Sequence, residues 1–214
     1  MTYDFTTLPD RWDTGAEKYE LMKARCPDVP RGIVPFSVAD MDFLPPPELS
    51  EGVQDFMQGR VFGYTRTPRE YIAAFRRWMQ RRHGVDIPDR WVVDADSVLG
   101  AMHRMIRCFT RPGDGIVVMT PAYPPFLDAP EPLERRRLDC PMCLGADRRY
   151  TIDFALLETL CRREDTTMLI LCNPHNPVGR VWTRDELEQV ADICLRHGVF
   201  IIADEIHADL ILPG

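Results

Sequence analysis

An α/β fold, with a mostly parallel sheet covered by helices, is the architecture this sequence predicts, and three observations carry the prediction. Met168–Cys172 and Val199–Ala203 are short runs that are apolar without alternation, as expected of strands buried on both faces. From about residue 95 onward, amphipathic helical patterns alternate with such runs. Turn signals such as Pro112-Gly113-Asp114 separate one pattern from the next.

Taken in order, residues 1–45 read as an irregular N-terminal arm, because Pro9, Pro27, Pro30, Pro35 and Pro45-Pro46-Pro47 leave little room for regular structure. Pro47 to Gly59 fits a helix with proline at its start and glycine past its end. Arg69 to His83 fits a second, with Ile72, Phe75 and Met79 on one face, Gly84 as its stop, and Arg76, Arg77, Arg81 and Arg82 on a solvated side. Val98, Met102, Met105, Ile106 and Phe109 form a helical stripe, and Ile116–Met119 a strand. Asp153 to Arg163 reads as helix. Thr183 to His197 is the clearest helix: Thr183 and Glu186 make a capping box, Leu187, Val190, Ala191 and Cys194 line one face, and Gly198 closes it.

Composition narrows the function classes. The 214 residues carry a formal charge of −7, and acids are interspersed among the basic residues, so no nucleic-acid footprint is expected. Lys18 and Lys23 are the only lysines among the 26 basic residues. No apolar run approaches the ~20 residues of a membrane span, and Met1 to Asp13 does not read as a signal peptide. Seven cysteines with a single Cys140-Pro-Met-Cys143 read as reduced thiols of a cytoplasmic protein, with Cys172 and Cys194 in the core and no metal site expected.

In open parallel sheets, ligands bind beyond the carboxyl ends of the strands. Three distinctive segments fall there: Thr120-Pro121-Ala122-Tyr123-Pro124-Pro125-Phe126, Asn173-Pro174-His175-Asn176-Pro177-Val178-Gly179 and Asp204-Glu205-Ile206-His207. Each alone also suits an ordinary turn or helix cap. Together, in this order, they resemble the fold-type I pyridoxal-phosphate enzymes of the class I/II aminotransferase family, in the cystathionine β-lyase-like branch. Arg11 to Tyr19, Ser37 to Phe43, Phe62-Gly63-Tyr64 and Phe109 to Asp114 extend the resemblance over nearly the whole chain.

The resemblance implies pyridoxal 5′-phosphate as cofactor. Asp204 matches the carboxylate that keeps the pyridine nitrogen protonated, so that the ring accepts the electrons of a carbanion. Asn176 matches the amide on the ring hydroxyl, with His207 able to share that bond, and Tyr123 the aromatic that stacks on the ring. Ser97, Val98 and Leu99 open the helix expected to hold the phosphate. Tyr64 resembles the tyrosine that reaches the cofactor phosphate of a partner subunit, which implies a homodimer. Cis peptides are expected at Thr120–Pro121 and Asn176–Pro177.

Two departures qualify the match. Relatives commonly read Thr-Pro-Gly where this chain has Ala95-Asp96-Ser97, so Asp96 either sets a negative charge near the phosphate or caps the helix. The family's Schiff-base lysine lies downstream of the Asp-Glu-x-His segment, and neither lysine here stands in a matching motif. No catalytic residue is therefore assigned. Residues 46–214 are expected to form an incomplete cofactor-binding large domain, with part of the small domain in the arm, and the 214-residue chain is expected to be inactive by itself. For the complete protein the resemblance implies a carbon–sulfur β-lyase acting on a small amino acid, cystathionine or a cysteine S-conjugate. The alternatives are an aminotransferase, or a non-catalytic fragment or regulatory protein.

Overall fold

The computed structural model describes residues 3–212 and falls into two compact units, Met1–Arg66 and Thr67–Gly214. In the first, helix α1 (Glu17–Arg25) interrupts the arm read above as irregular. No proline lies between Pro9 and Pro27, and Glu17 and Glu20 at the start, with Lys23 and Arg25 at the end, complement the helix dipole. The helix escaped the periodicity reading because its apolar residues are few. It buries Lys18 and Tyr19. The Lys18 ammonium meets Asp42 Oδ2 at 2.5 Å and the Asp40 carbonyl at 2.7 Å, while Arg11 bridges Asp40 and Asp42 at 2.7 and 3.0 Å. Lys18, then Arg11, hold the Asp42 carboxyl below its usual range. Helix α2 (Pro47–Met57) starts on proline as expected and buries none of its residues.

The second unit begins with α3 (Arg69–His83), stopped by Gly84 at φ 69°, and α4 (Val98–Phe109). There follow β1 (Gly115–Thr120), α5 (Pro124–Asp128), β2 (Arg136–Pro141), a hairpin of β3 (Cys143–Leu144) and β4 (Tyr150–Thr151), α6 (Phe154–Cys161), β5 (Thr166–Cys172), α7 (Arg184–His197) and β6 (Phe200–Asp204). The main sheet has the order β2-β1-β5-β6, all parallel. Alternate residues of its strands feed two cores. Val117, Met119, Leu169 and Leu171 pack against Leu157 and Cys161 of α6 and Val190, Ile193 and Cys194 of α7. Ile116, Val118, Met168, Ile170 and Ile202 pack against Met102 and Ile106 of α4 and Phe126 of α5. This is the helix-covered parallel sheet the apolar runs predict, since each central strand needs cover on both faces.

One expectation is corrected. The Val199–Ala203 run was read as a buried strand, yet within β6 only Ile202 is buried, and Phe200 and Ala203 are exposed. β6 is the outermost strand of the order, so one edge has no partner among the described residues. Phe200 instead stacks on Phe109 of α4 at 4.5 Å.

Candidate functional site

Parallel pairing places the carboxyl ends of β1, β5 and β6 side by side. The register sets Cys172 opposite Asp204, and the Asn173 N–H donates to the Asp204 carbonyl at 3.0 Å. The loops after the three strands are thereby brought to one end of the sheet. Asp204 is half-buried rather than enclosed, and its Oδ1 accepts from the Ile206 N–H at 3.0 Å. With Val98, Ala101, Met102 and Met105 of α4 it lines a recess of about 210 Å³, completed by Ile202, Ala203, Glu205 and Ile206.

The start of α4 is capped by Ser97, whose Oγ accepts from the Gly100 N–H at 3.0 Å. Asp96 is thus not the cap; its carboxylate pairs with Arg104 at 2.9 Å. The N–H groups of Val98 and Leu99 have no helical partner, because their i−4 carbonyls lie outside the helix. Leu99 packs half-buried against the α4 side of the sheet.

The remaining expected residues stand outside this recess. Tyr123 precedes α5, partly exposed, with its ring edge on Phe126 at 5.4 Å. Asn176 is half-buried in the turn after β5, and His207 half-buried just before a 3-10 turn at Ala208–Leu210. Tyr64 belongs to the other unit, where its side chain is fully exposed. Cis peptides occur at Thr120–Pro121 and Asn176–Pro177, and also at Asn173–Pro174.

Beneath the Asn176 turn lies a set of contacts that sequence reasoning missed. His175 is buried, and its Nε2–H donates to the Pro121 carbonyl at 2.9 Å, tying the turn that carries Asn176 to the loop that carries Tyr123. Burial pushes the His175 pKa down, against the Pro121 carbonyl, which favours the charged ring. The neutral Nε2–H tautomer satisfies this bond, and Nδ1 is left without a partner. Trp182 packs edge-on against His175, its indole N–H donating to the Cys172 carbonyl at 3.0 Å and its backbone N–H to Asn173 Oδ1 at 3.0 Å. Arg180 covers the Trp182 ring at 4.8 Å and pairs with Glu186 at 2.5 Å. His175 falls inside a motif, but nothing in the sequence indicates that Trp182 and Pro121 are its neighbours; only the topology brings them together.

Among the described residues there is no cluster of three or more potential metal ligands, and no helix is long and apolar enough to cross a membrane.

The model of the aminotransferase class I and II family matches residues 31–213. The chain is 38% identical over 204 residues to cystathionine beta-lyase PatB of Bacillus subtilis (strain 168), covering 95% of this chain and 50% of that protein. It is 35% identical over 210 residues to protein MalY of Escherichia coli (strain K12), covering 98% and 53%. Among solved structures, cystalysin from Treponema denticola, which contains a pyridoxal 5′-phosphate cofactor, superposes with a TM-score of 0.95 at 43% identity, over 100% of this chain and 54% of that one. The PLP-bound C-S lyase from Staphylococcus hominis superposes with a TM-score of 0.86 at 27% identity, over 96% and 51%. The chain spans about half the length of the relatives it matches.

Proposed function

The chain belongs to the aminotransferase class I and II family, and from that premise we propose that it forms part of a pyridoxal 5′-phosphate-dependent carbon–sulfur β-lyase acting on cystathionine or a cysteine S-conjugate. The observation that carries this reading is the recess shared by Val98 and Asp204, which puts a helix N-terminus and a carboxylate on the wall of one cavity. The names of relatives narrow the activity: cystathionine beta-lyase for the Bacillus protein, C-S lyase for the Staphylococcus one.

The residues present suit that cofactor. Val98 and Leu99 offer unbonded N–H groups at the positive end of the α4 dipole, where a phosphate is stabilised. Asp204 gives one oxygen to the Ile206 N–H and keeps the other for a ring N–H. When bound, pyridoxal phosphate would supply an electron sink for the charge left at the substrate α-carbon by loss of its proton, the electron pair that then expels sulfur from Cβ. Asp204 would hold a proton at the ring nitrogen, because a carboxylate that accepts the ring N–H in a charge-assisted hydrogen bond stabilises the positive charge of the ring. Asn176 donates an amide N–H to the ring oxygen without changing the charge of the site, and His207 shares that bond. Tyr123 covers a ring face. Ser97, whose hydroxyl still has a proton to donate, joins Val98 and Leu99 on the phosphate. Tyr64 takes the phosphate of the partner subunit's cofactor in a homodimer.

The amine that carries the cofactor is not assigned to either lysine of this chain. Lys18 is buried against Asp42, and Lys23 bonds Glu20 at 2.8 Å and the Trp12 carbonyl at 3.2 Å. We assign it to a residue outside these 214. The test is an assay of the whole protein on cystathionine. Pyruvate release without added keto acid is expected; amino transfer that depends on keto acid, with no pyruvate, would make the protein an aminotransferase instead.

A further inference from the structure

Resting on the cofactor reading above, we propose that His175 is a positioning residue for the reaction: its ring anchors the turn that carries Asn176 to the loop that carries Tyr123, and so fixes where the Asn176 amide meets the ring oxygen of the cofactor. The backbone of His175 closes that turn. Its N–H donates to the Arg180 carbonyl at 2.7 Å, and its carbonyl accepts from the Gly179 N–H at 2.8 Å. Its side chain leaves the turn and donates from Nε2 to the Pro121 carbonyl at 2.9 Å, in the loop that leads to Tyr123. Asn176 is therefore the immediate neighbour of a side chain anchored on the opposite loop.

Register between β1 and β5 runs only to Val118 and Ile170. Beyond the strands, among the described residues, no other hydrogen bond joins residues 121–126 to residues 173–179. Both loops are short of donors, because Pro121, Pro124, Pro125, Pro174 and Pro177 have no N–H. The ring is held from its other side as well. His175 is buried, with Trp182 edge-on at 5.6 Å. The Trp182 N–H donates to Asn173 Oδ1 at 3.0 Å, and the Asn173 N–H donates to the Asp204 carbonyl at 3.0 Å. The base of the Asn176 turn is thus fastened to the chain that carries Tyr123 and to the strand end that carries Asp204. A displacement of about 1 Å is enough to spoil the alignment of a group with its ligand, so the bond that sets this spacing bears on the chemistry without touching the reacting atoms.

The experiment follows the absorbance band of the bound cofactor against pH in the whole protein and its variants. The midpoint reports ionisation at the ring oxygen, and an N–H donated to that oxygen favours the ionised form and lowers the midpoint. Asn176→Ala is expected to raise it by about 0.5 to 1 pH unit, the range of one hydrogen bond. His175→Phe keeps an aromatic ring against Trp182 but has no donor, and should raise the midpoint by part of that amount. His175→Gln keeps an N–H and should bring it back. In the Asn176→Ala background His175→Phe should add nothing, because its effect runs through the amide. A loss of packing alone would be neither restored by glutamine nor silenced by the second substitution. His175→Phe leaving the midpoint in place while Asn176→Ala moves it, or adding the same shift in both backgrounds, would overturn the proposal. An unaltered protein with no bound-cofactor band, or a midpoint that Asn176→Ala leaves unchanged, would instead overturn the cofactor reading on which it rests.

Discussion

Asp204 shows how far a single residue can be read from sequence. Its place at the end of an apolar run marks it as a strand-end carboxylate, and the structure puts it on the wall of the recess with Val98. Asp204→Asn keeps the size of the side chain and removes the charge that would hold a ring proton. Loss of the bound-cofactor absorbance band at cofactor concentrations that saturate the unaltered whole protein is the expected outcome; an unchanged band would contradict the role given to Asp204. His175 is the opposite case, because its partners are 54 residues upstream and seven downstream, at Pro121 and Trp182, and no local pattern links them. Removing its donor in His175→Phe takes the hydrogen bond from the Pro121 carbonyl, a loss of about 1 kcal/mol in urea unfolding. The depressed pKa adds a pH signature. The unfolded chain, with an ordinary value of 6.5, binds a proton that the folded chain resists. Stability from this residue is therefore full above that value and falls as the pH drops from it toward the lower folded pKa. His175→Gln, which keeps an N–H donor but does not titrate, should flatten that slope relative to the unaltered chain.

At the scale of elements, legibility followed local signals. The residues that read as the capping box of α7 make it: the Glu186 N–H donates to Thr183 Oγ1 and the Thr183 N–H to Glu186 Oε2, at 3.2 and 2.8 Å, and Gly198 takes φ 68° past the helix end. Glu186 serves the site as well, since its other oxygen holds Arg180 over Trp182. Thr183→Ala is expected to cost about 1 kcal/mol of stability by thermal or denaturant unfolding. Glu186→Ala should cost more than that, because it also frees Arg180. The elements that stayed unread lack such signals. β2, with Arg136, Arg137 and Asp139 in its six residues, has no apolar alternation, and it is a strand because it lies at the edge of the sheet, where charges are tolerated. α1 has too few apolar residues to show a period. β6 was read as a strand correctly but placed too deep, because an apolar run does not reveal whether a further strand covers it.

For the molecule as a whole, the edge of β6 that has no partner among the described residues and the exposed Leu49, Val53, Phe56 and Met57 of α2 present apolar surface and open hydrogen-bonding groups to other chains. The isolated 214-residue chain should sediment as a heterogeneous mixture above its 24.7 kDa mass, shifting to larger species with concentration; a single sharp monomer at every concentration would refute this. Incubation with pyridoxal phosphate, borohydride reduction and peptide mapping should give no stoichiometric adduct at Lys18 or Lys23, and the chain should show no lyase turnover. The buried ion-pair knot of the first unit has a further use in following its motions. Besides the α-amino group, the chain has two primary amines: Lys23, partly exposed, and Lys18, with 3% of its side chain accessible and its ammonium shared between Asp42 and the Asp40 carbonyl. An acylating reagent reaches Lys18 only when that unit opens. The rate at which Lys18 is modified, read against the prompt modification of Lys23 in the same sample, therefore clocks local unfolding of α1 and the Asp40–Asp42 segment, with no probe introduced.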